Sequence, residues 1–166
     1  MSVAYGKYDT TGEARPMQLG VFETGVIELV GINEQIDQND YGAHVTQNFH
    51  GSGMVVGAVF HSSGGDILQV TGKLLFFNNA VSVAAGDTAI TVAERNELIG
   101  WIEVDSNWQA DANGASQCIP VQKAISYDTN GLYLVWFHES ATSLNSAAED
   151  DELLTVNLLY MLEHRE

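Results

Sequence analysis

The sequence predicts an all-β protein, an antiparallel sandwich of jelly-roll type with about eight strands. Three observations carry this. The apolar residues recur with period two rather than 3.6. The apolar runs are short and rich in branched and aromatic residues. Clusters of Gly, Asn, Asp and Ser separate them at short intervals. The chain has 166 residues, of which 45% are hydrophobic, so one domain with a substantial core is expected. Residues 1–20 read as an extended N-terminal arm, and 21–166 as a single sandwich domain.

Taken in order, residues 1–20 are polar, contain Gly and carry Pro16. Tyr5 and Tyr8 give this arm something to touch, and a neighbouring subunit is the expected contact. Val26–Val30 is the first strand candidate. Residues 31–50 are rich in Asn, Gln and Gly and are too long for a passive hairpin loop. Met54–Phe60 and Ile67–Phe77 follow, separated by Ser62-Ser63-Gly64-Gly65-Asp66, which reads as a hairpin turn. Ala85-Gly86-Asp87 separates the next pair, Ala80–Ala84 and Thr88–Val92, in the same way. Only Glu94–Ile99 offers a short helical turn, and a strand is preferred at Leu98–Val104.

Cys118–Ile125 contains Pro120, which lacks an N–H and places this strand at an edge or a bulge. Asp128-Thr129-Asn130-Gly131 joins it to Leu132–His138, and Asn-Gly suits a tight hairpin turn. Residues 139–152 end in the acidic run Glu149-Asp150-Asp151-Glu152. In the last segment Leu154, Val156, Leu158, Tyr160 and Leu162 share one face, which reads as a core strand. Leu159 and Met161 on its other face suggest a central position, and Asn157 between them then needs water or a hydrogen-bond partner.

The charge balance excludes several partners. There are 22 acidic residues against 6 basic ones, a formal net charge of −16. Nucleic acid and anionic membranes both require Lys and Arg, so neither is expected as a partner. No apolar run approaches the ~20 residues of a membrane-spanning helix. The N-terminus shows no basic region followed by an apolar run, so no secretory signal peptide is expected.

Motifs of chemistry are weak. The lone Cys118 lies in a strand pattern and is expected to be buried and inert. His44, His50, His61, His138 and His164 have no metal-ligand spacing. Asp105-Ser106-Asn107-Trp108-Gln109-Ala110-Asp111 begins like a calcium loop. It fails at Ala110, where Gly belongs, and at Ser116, where Glu belongs. Gly51-Ser52-Gly53 opens a strand rather than a helix, which removes a dinucleotide reading. No nucleophile motif is present. No catalytic, cofactor-binding or metal-ligating residue is therefore assigned, and no enzyme is expected. Trp101 and Trp136 lie in strand patterns and read as core. Trp108, in a polar loop, is either a plug folded onto the core or a contact residue. With Tyr5 and Tyr8 it makes up the set of candidate interface residues.

The polar arm, the strand pattern from Met54 to Leu162 and the scarcity of lysine resemble small virion proteins of tailed phages, in particular capsid decoration (cement) proteins. That resemblance implies a homo-oligomer, commonly a trimer, made in the host cytoplasm. It would dock on the major capsid protein or another virion protein and tie the shell together. A carbohydrate- or ligand-binding sandwich, lectin-like or tail-associated, is the alternative reading. A cupin-like small enzyme follows behind it, because that chemistry needs clustered histidines.

Overall fold

The computed structural model describes residues 5–8, 14–17, 20–30, 34–49, 51–63, 69–145 and 153–163. Its strands are β1 (Tyr5–Tyr8), β2 (Ala14–Met17), β3 (Phe22–Glu28), β4 (Gln35–Ile36), β5 (Val45–Gln47), β6 (Gly53–Ser63) and β7 (Gly72–Phe77). After the short helix α1 (Val92–Asn96) come β8 (Leu98–Val104), β9 (Gln109–Asp111), β10 (Gly114–Tyr127), β11 (Leu132–His138), β12 (Leu144–Asn145) and β13 (Leu153–Leu162). One sheet has the order β3-β13-β6-β10-β9 and the other β5-β11-β7-β8. The pairings are antiparallel throughout. Setting aside the short β9, the eight strands of the two sheets interleave as first, last, third and sixth against second, seventh, fourth and fifth. This is the double Greek-key winding of a jelly roll, as the sequence predicts.

Between the sheets lies a core that includes Phe60, Leu74, Phe76, Leu134, Trp136 and Leu158, all fully buried. The C-terminal strand behaves as its alternation demands. Leu154, Val156 and Leu158 are buried, Tyr160 packs against the core, and β13 is central between β3 and β6. Leu162, at the strand end, is 36% exposed. Asn157 finds its partner, donating from Nδ2 to Glu23 Oε2 at 3.0 Å.

Several local expectations are corrected. The turn at Asp128–Gly131 forms, with Gly131 at φ +86° and Asp128 Oδ1 accepting from the Asn130 N–H. It does not close a hairpin, because β10 and β11 belong to different sheets. The same is true of β6 and β7 on either side of Ser62–Asp66. Turn residues report a chain reversal; they do not say whether the chain returns beside itself or crosses to the facing sheet.

Ala80–Ala84 and Thr88–Val92 are not strands. Residues 78–91 run as a loop across the outer face of the four-stranded sheet. There Val81, Val83 and Ile90 bury against Leu75, Phe77 and Val135 in a second apolar cluster. The alternation at Val81 and Val83 correctly marks burial but comes from packing rather than a ladder. Thr91 and Glu94 form a full capping box at the start of α1, a signal present in the sequence as Thr-x-x-Glu. The loop at 31–50 carries β4 and β5 among its described residues and bridges through Tyr41 to Asp87 and Phe137.

The arm is also different from expectation. Its described residues fold back as a two-stranded antiparallel hairpin, Tyr5 opposite Met17 and Tyr8 opposite Ala14, rather than as one extended strand. This hairpin pairs with neither main sheet.

Candidate functional site

The sandwich is open along one side. β8 is the outer strand of its sheet, and β10 has β9 beside it only at Gly114–Ser116. The register of β10 on β6 slips between Pro120 and Ile125, so Val121–Ala124 have no partner on β6. Pro120 is the local cause: its missing N–H cannot continue the ladder, and the strand bulges there. Between the free edges runs a groove of about 400 Å³ lined by Ile99, Trp101, Ile119, Val121 and Lys123. Ile102 and Ile125 make its floor, each 3% exposed. A Cβ on Gly100 would lie 3.2 Å from Ile125 Cγ1, so the glycine lets the floor close against β8.

Trp101 is 52% exposed on the rim, which corrects its assignment to the core. Its strand position explains this. Trp101 pairs with Leu75 on the outer side of the sheet, and Glu103 two residues on shares its face, while Ile102 and Val104 point inward. The alternation Trp101, Glu103 against Ile102, Val104 is the signal that could have found it.

A second depression of about 470 Å³ adjoins the groove, and its lining includes Asp105, Asn107, Gln117 and Cys118. Asp105 accepts from the Asn107 N–H at 2.9 Å, from Asn107 Nδ2 at 2.6 Å, and from Gln117 Nε2. The backbone N–H of Asn107 first, and then the Gln117 amide, hold the Asp105 carboxyl below the usual carboxylate range. The start of the calcium-like loop is thus an Asx turn, its carboxylate engaged with its own loop. Among the described residues Gln117 Oε1 is buried with no hydrogen-bond partner. A groove of mixed lining between two strand edges, next to the exposed Asp105 carboxylate, can seat an extended peptide by edge pairing or the face of a sugar on Trp101.

The sequence-predicted interface residues are not brought together here. Trp108 is 6% exposed, and its indole N–H donates to the Val70 carbonyl at 2.9 Å in the core. It is the plug, and its assignment as a contact residue is corrected. A loop indole whose N–H finds a buried carbonyl can bury completely. The side chains of Tyr5 and Tyr8 lie outside the described residues. Cys118, expected to be buried, is exposed, because it stands on the outer face of β10.

The described histidines are dispersed. His44 donates from Nδ1 to the Val83 carbonyl at 2.9 Å, and His61 Nδ1 lies 2.7 Å from Ser116 Oγ. His50 and His164 fall outside the described residues. His138 is fully buried, donating from Nε2 to the Thr142 carbonyl at 2.7 Å and accepting at Nδ1 from Trp136 Nε1 at 3.4 Å. A proton on Nδ1 would face the indole N–H donor, and burial pushes the imidazole below its ordinary value of 6.5.

The sign of this effect on stability is set by the unfolded chain, which takes up a proton near pH 6.5 while the folded chain resists it. Stability is therefore expected to fall as pH drops below about 6.5. Asp37, Glu94 and Asp105, held low mainly by hydrogen bonds from Ser143, the Ser82 N–H and the Asn107 N–H, extend the loss at lower pH. At the alkaline end, burial pushes the Tyr127 phenol up to about 12 from 10.0, so stability is lost again as pH rises through that interval. Melting temperatures recorded against pH, with a His138 NMR titration, check this. A His138 pKa at or above 6.5 would refute it.

Among the described residues no helix is long and apolar enough to cross a membrane. No family model matches the chain, and no curated protein matches it.

Proposed function

We propose that this protein is a non-enzymatic virion structural protein. In this reading it is a capsid decoration (cement) protein that assembles as a homo-oligomer, a trimer, and stabilises the shell by docking on the major capsid protein. The observation that carries the proposal is the open trench between β8 and β10, where Trp101 and Ile99 stand exposed on free strand edges of a jelly roll. Half-exposed tryptophans are typical anchors of protein contacts, and unpaired strand edges accept extended chain. The jelly roll is shared by capsid proteins, lectins and cupins, so the fold supports the role by analogy only. Several modest contacts per assembled particle give avidity, and the net charge of −16 keeps the assembled oligomers dispersed and away from nucleic acid.

Light scattering on the purified full chain is expected to give an oligomer. Deleting residues 1–20 should leave the melting transition of the sandwich in place and weaken assembly. Loss of the melting transition would make the arm part of the core and overturn its role. The second reading, a carbohydrate-binding sandwich, draws on Trp101 beside Gln117 and Asp105. A monomeric chain whose Trp101 fluorescence responds to an oligosaccharide would replace the virion reading with that one.

A further inference from the structure

The two sheets treat their outer faces differently. The four-stranded sheet is roofed by residues 78–91 and the apolar cluster beneath them. On the outer face of the five-stranded sheet Val26, Met54 and Cys118 stand exposed. The register places its side chains in lateral rows. Val26, Asn157, Val59 and Cys118 lie side by side across four strands, as do Met161 and Met54 below them. Leu159 lies over Gly57, whose absent Cβ would meet Leu159 Cδ1 at 3.3 Å. Val26 is 73% exposed and Met54 37%, while Val59, Leu159 and Met161 are half-buried.

This face is also poor in carboxylates. Of 22 acidic residues, none falls among the 11 residues of β6, the 14 of β10 or the 10 of β13. Among the described strands of this sheet carboxylates stand on β3, where Glu23 accepts from Asn157 and Glu28 lies two residues from Val26, and on β9 at Asp111. Two copies that each carry a net charge of −16 repel over most of their surfaces. Joined here, they face each other through three strands without a carboxylate, with Glu23 and Glu28 at the β3 edge. Four strands about 4.8 Å apart and roughly 30 Å long present on the order of 600 Å², the lower end of what each partner contributes to a stable interface.

We propose that the carboxylate-poor outer face of the β3-β13-β6-β10 sheet packs against a further copy of this chain. The proposal rests on the homo-oligomer in the functional reading and names its contact surface.

The chain's single cysteine, Cys118, sits within this face and reports on it directly. The experiment measures the reaction rate of Cys118 with N-ethylmaleimide in the full chain across a concentration series, with light scattering on the same samples. Val26→Glu is compared with Val92→Glu, the same charge change at a 75%-exposed valine on α1. The expected result is an oligomer in which Cys118 reacts more slowly as association rises. Val26→Glu should weaken association about tenfold or more, since like charges are brought together, and Val92→Glu should leave it unchanged.

An oligomer with Cys118 as reactive as in the dilute chain would overturn this face while leaving the assembly reading standing. A chain that stays monomeric at all concentrations would overturn both. A monomer whose Cys118 is shielded until residues 1–20 are removed would make the chain's own arm the occupant, against the proposal. Equal association of the two glutamate variants would also refute it.

Discussion

Trp108→Ala is expected to destabilise the fold by about 3–5 kcal/mol, the range for truncating a buried tryptophan. The indole fills space within the main core and is 6% exposed. Its N–H also satisfies the carbonyl of Val70, a fully buried residue. Trp108→Phe keeps most of the apolar contact and removes only the donor, and it should cost about 1–3 kcal/mol for the carbonyl left unpaired. Urea melts of the two variants separate packing from hydrogen bonding. If neither variant shifts the midpoint, while assembly weakens, Trp108 is a contact residue and its place in the core is wrong.

Leu158→Ala should cost about 2–5 kcal/mol, and Leu153→Ala on the same strand should cost under about 1 kcal/mol. The two leucines differ in register: Leu158 is fully buried between the sheets, and Leu153, at the strand start, is 37% exposed. Because side chains alternate along a strand, a one-residue slip would exchange the buried and exposed sets. Leu158 also sits opposite Ala58 on β6, in the middle of the five-stranded sheet, where neighbours on both sides limit collapse of the cavity. Equal denaturation midpoints for the two variants would show that β13 does not hold this register.

Most of the fold was legible. Leu98–Val104 and Leu132–His138 are strands with the bounds their apolar runs suggest, and β13 alternates as read. The candidate site was not legible, for physical reasons that differ residue by residue. Trp101 and Trp136 look alike in sequence, each within an apolar strand. The sheet puts Trp136 on the inner face of a central strand and Trp101 on the outer face of an edge strand. Trp108 looks like a surface residue because its neighbours are polar, yet its ring reaches a carbonyl 38 positions earlier in the chain. Cys118 reads as buried by the general habit of free cysteines in a strand pattern, yet it stands exposed on the outer face of β10.

The sequence by itself determined the strand class, the inward face of the C-terminal strand, the break at Pro120 and the net charge of −16. Those properties follow from side-chain period, backbone chemistry and charge, all of which are local. Which strands pair was decided only by tertiary structure. The Asn-Gly turn could have closed a hairpin, but β11 crosses instead to pair with β7 and β5. Burying both apolar inner faces at once requires the chain to alternate between sheets. That choice left β8 and the bulged half of β10 as facing free edges, and so created the groove that no stretch of sequence encodes alone.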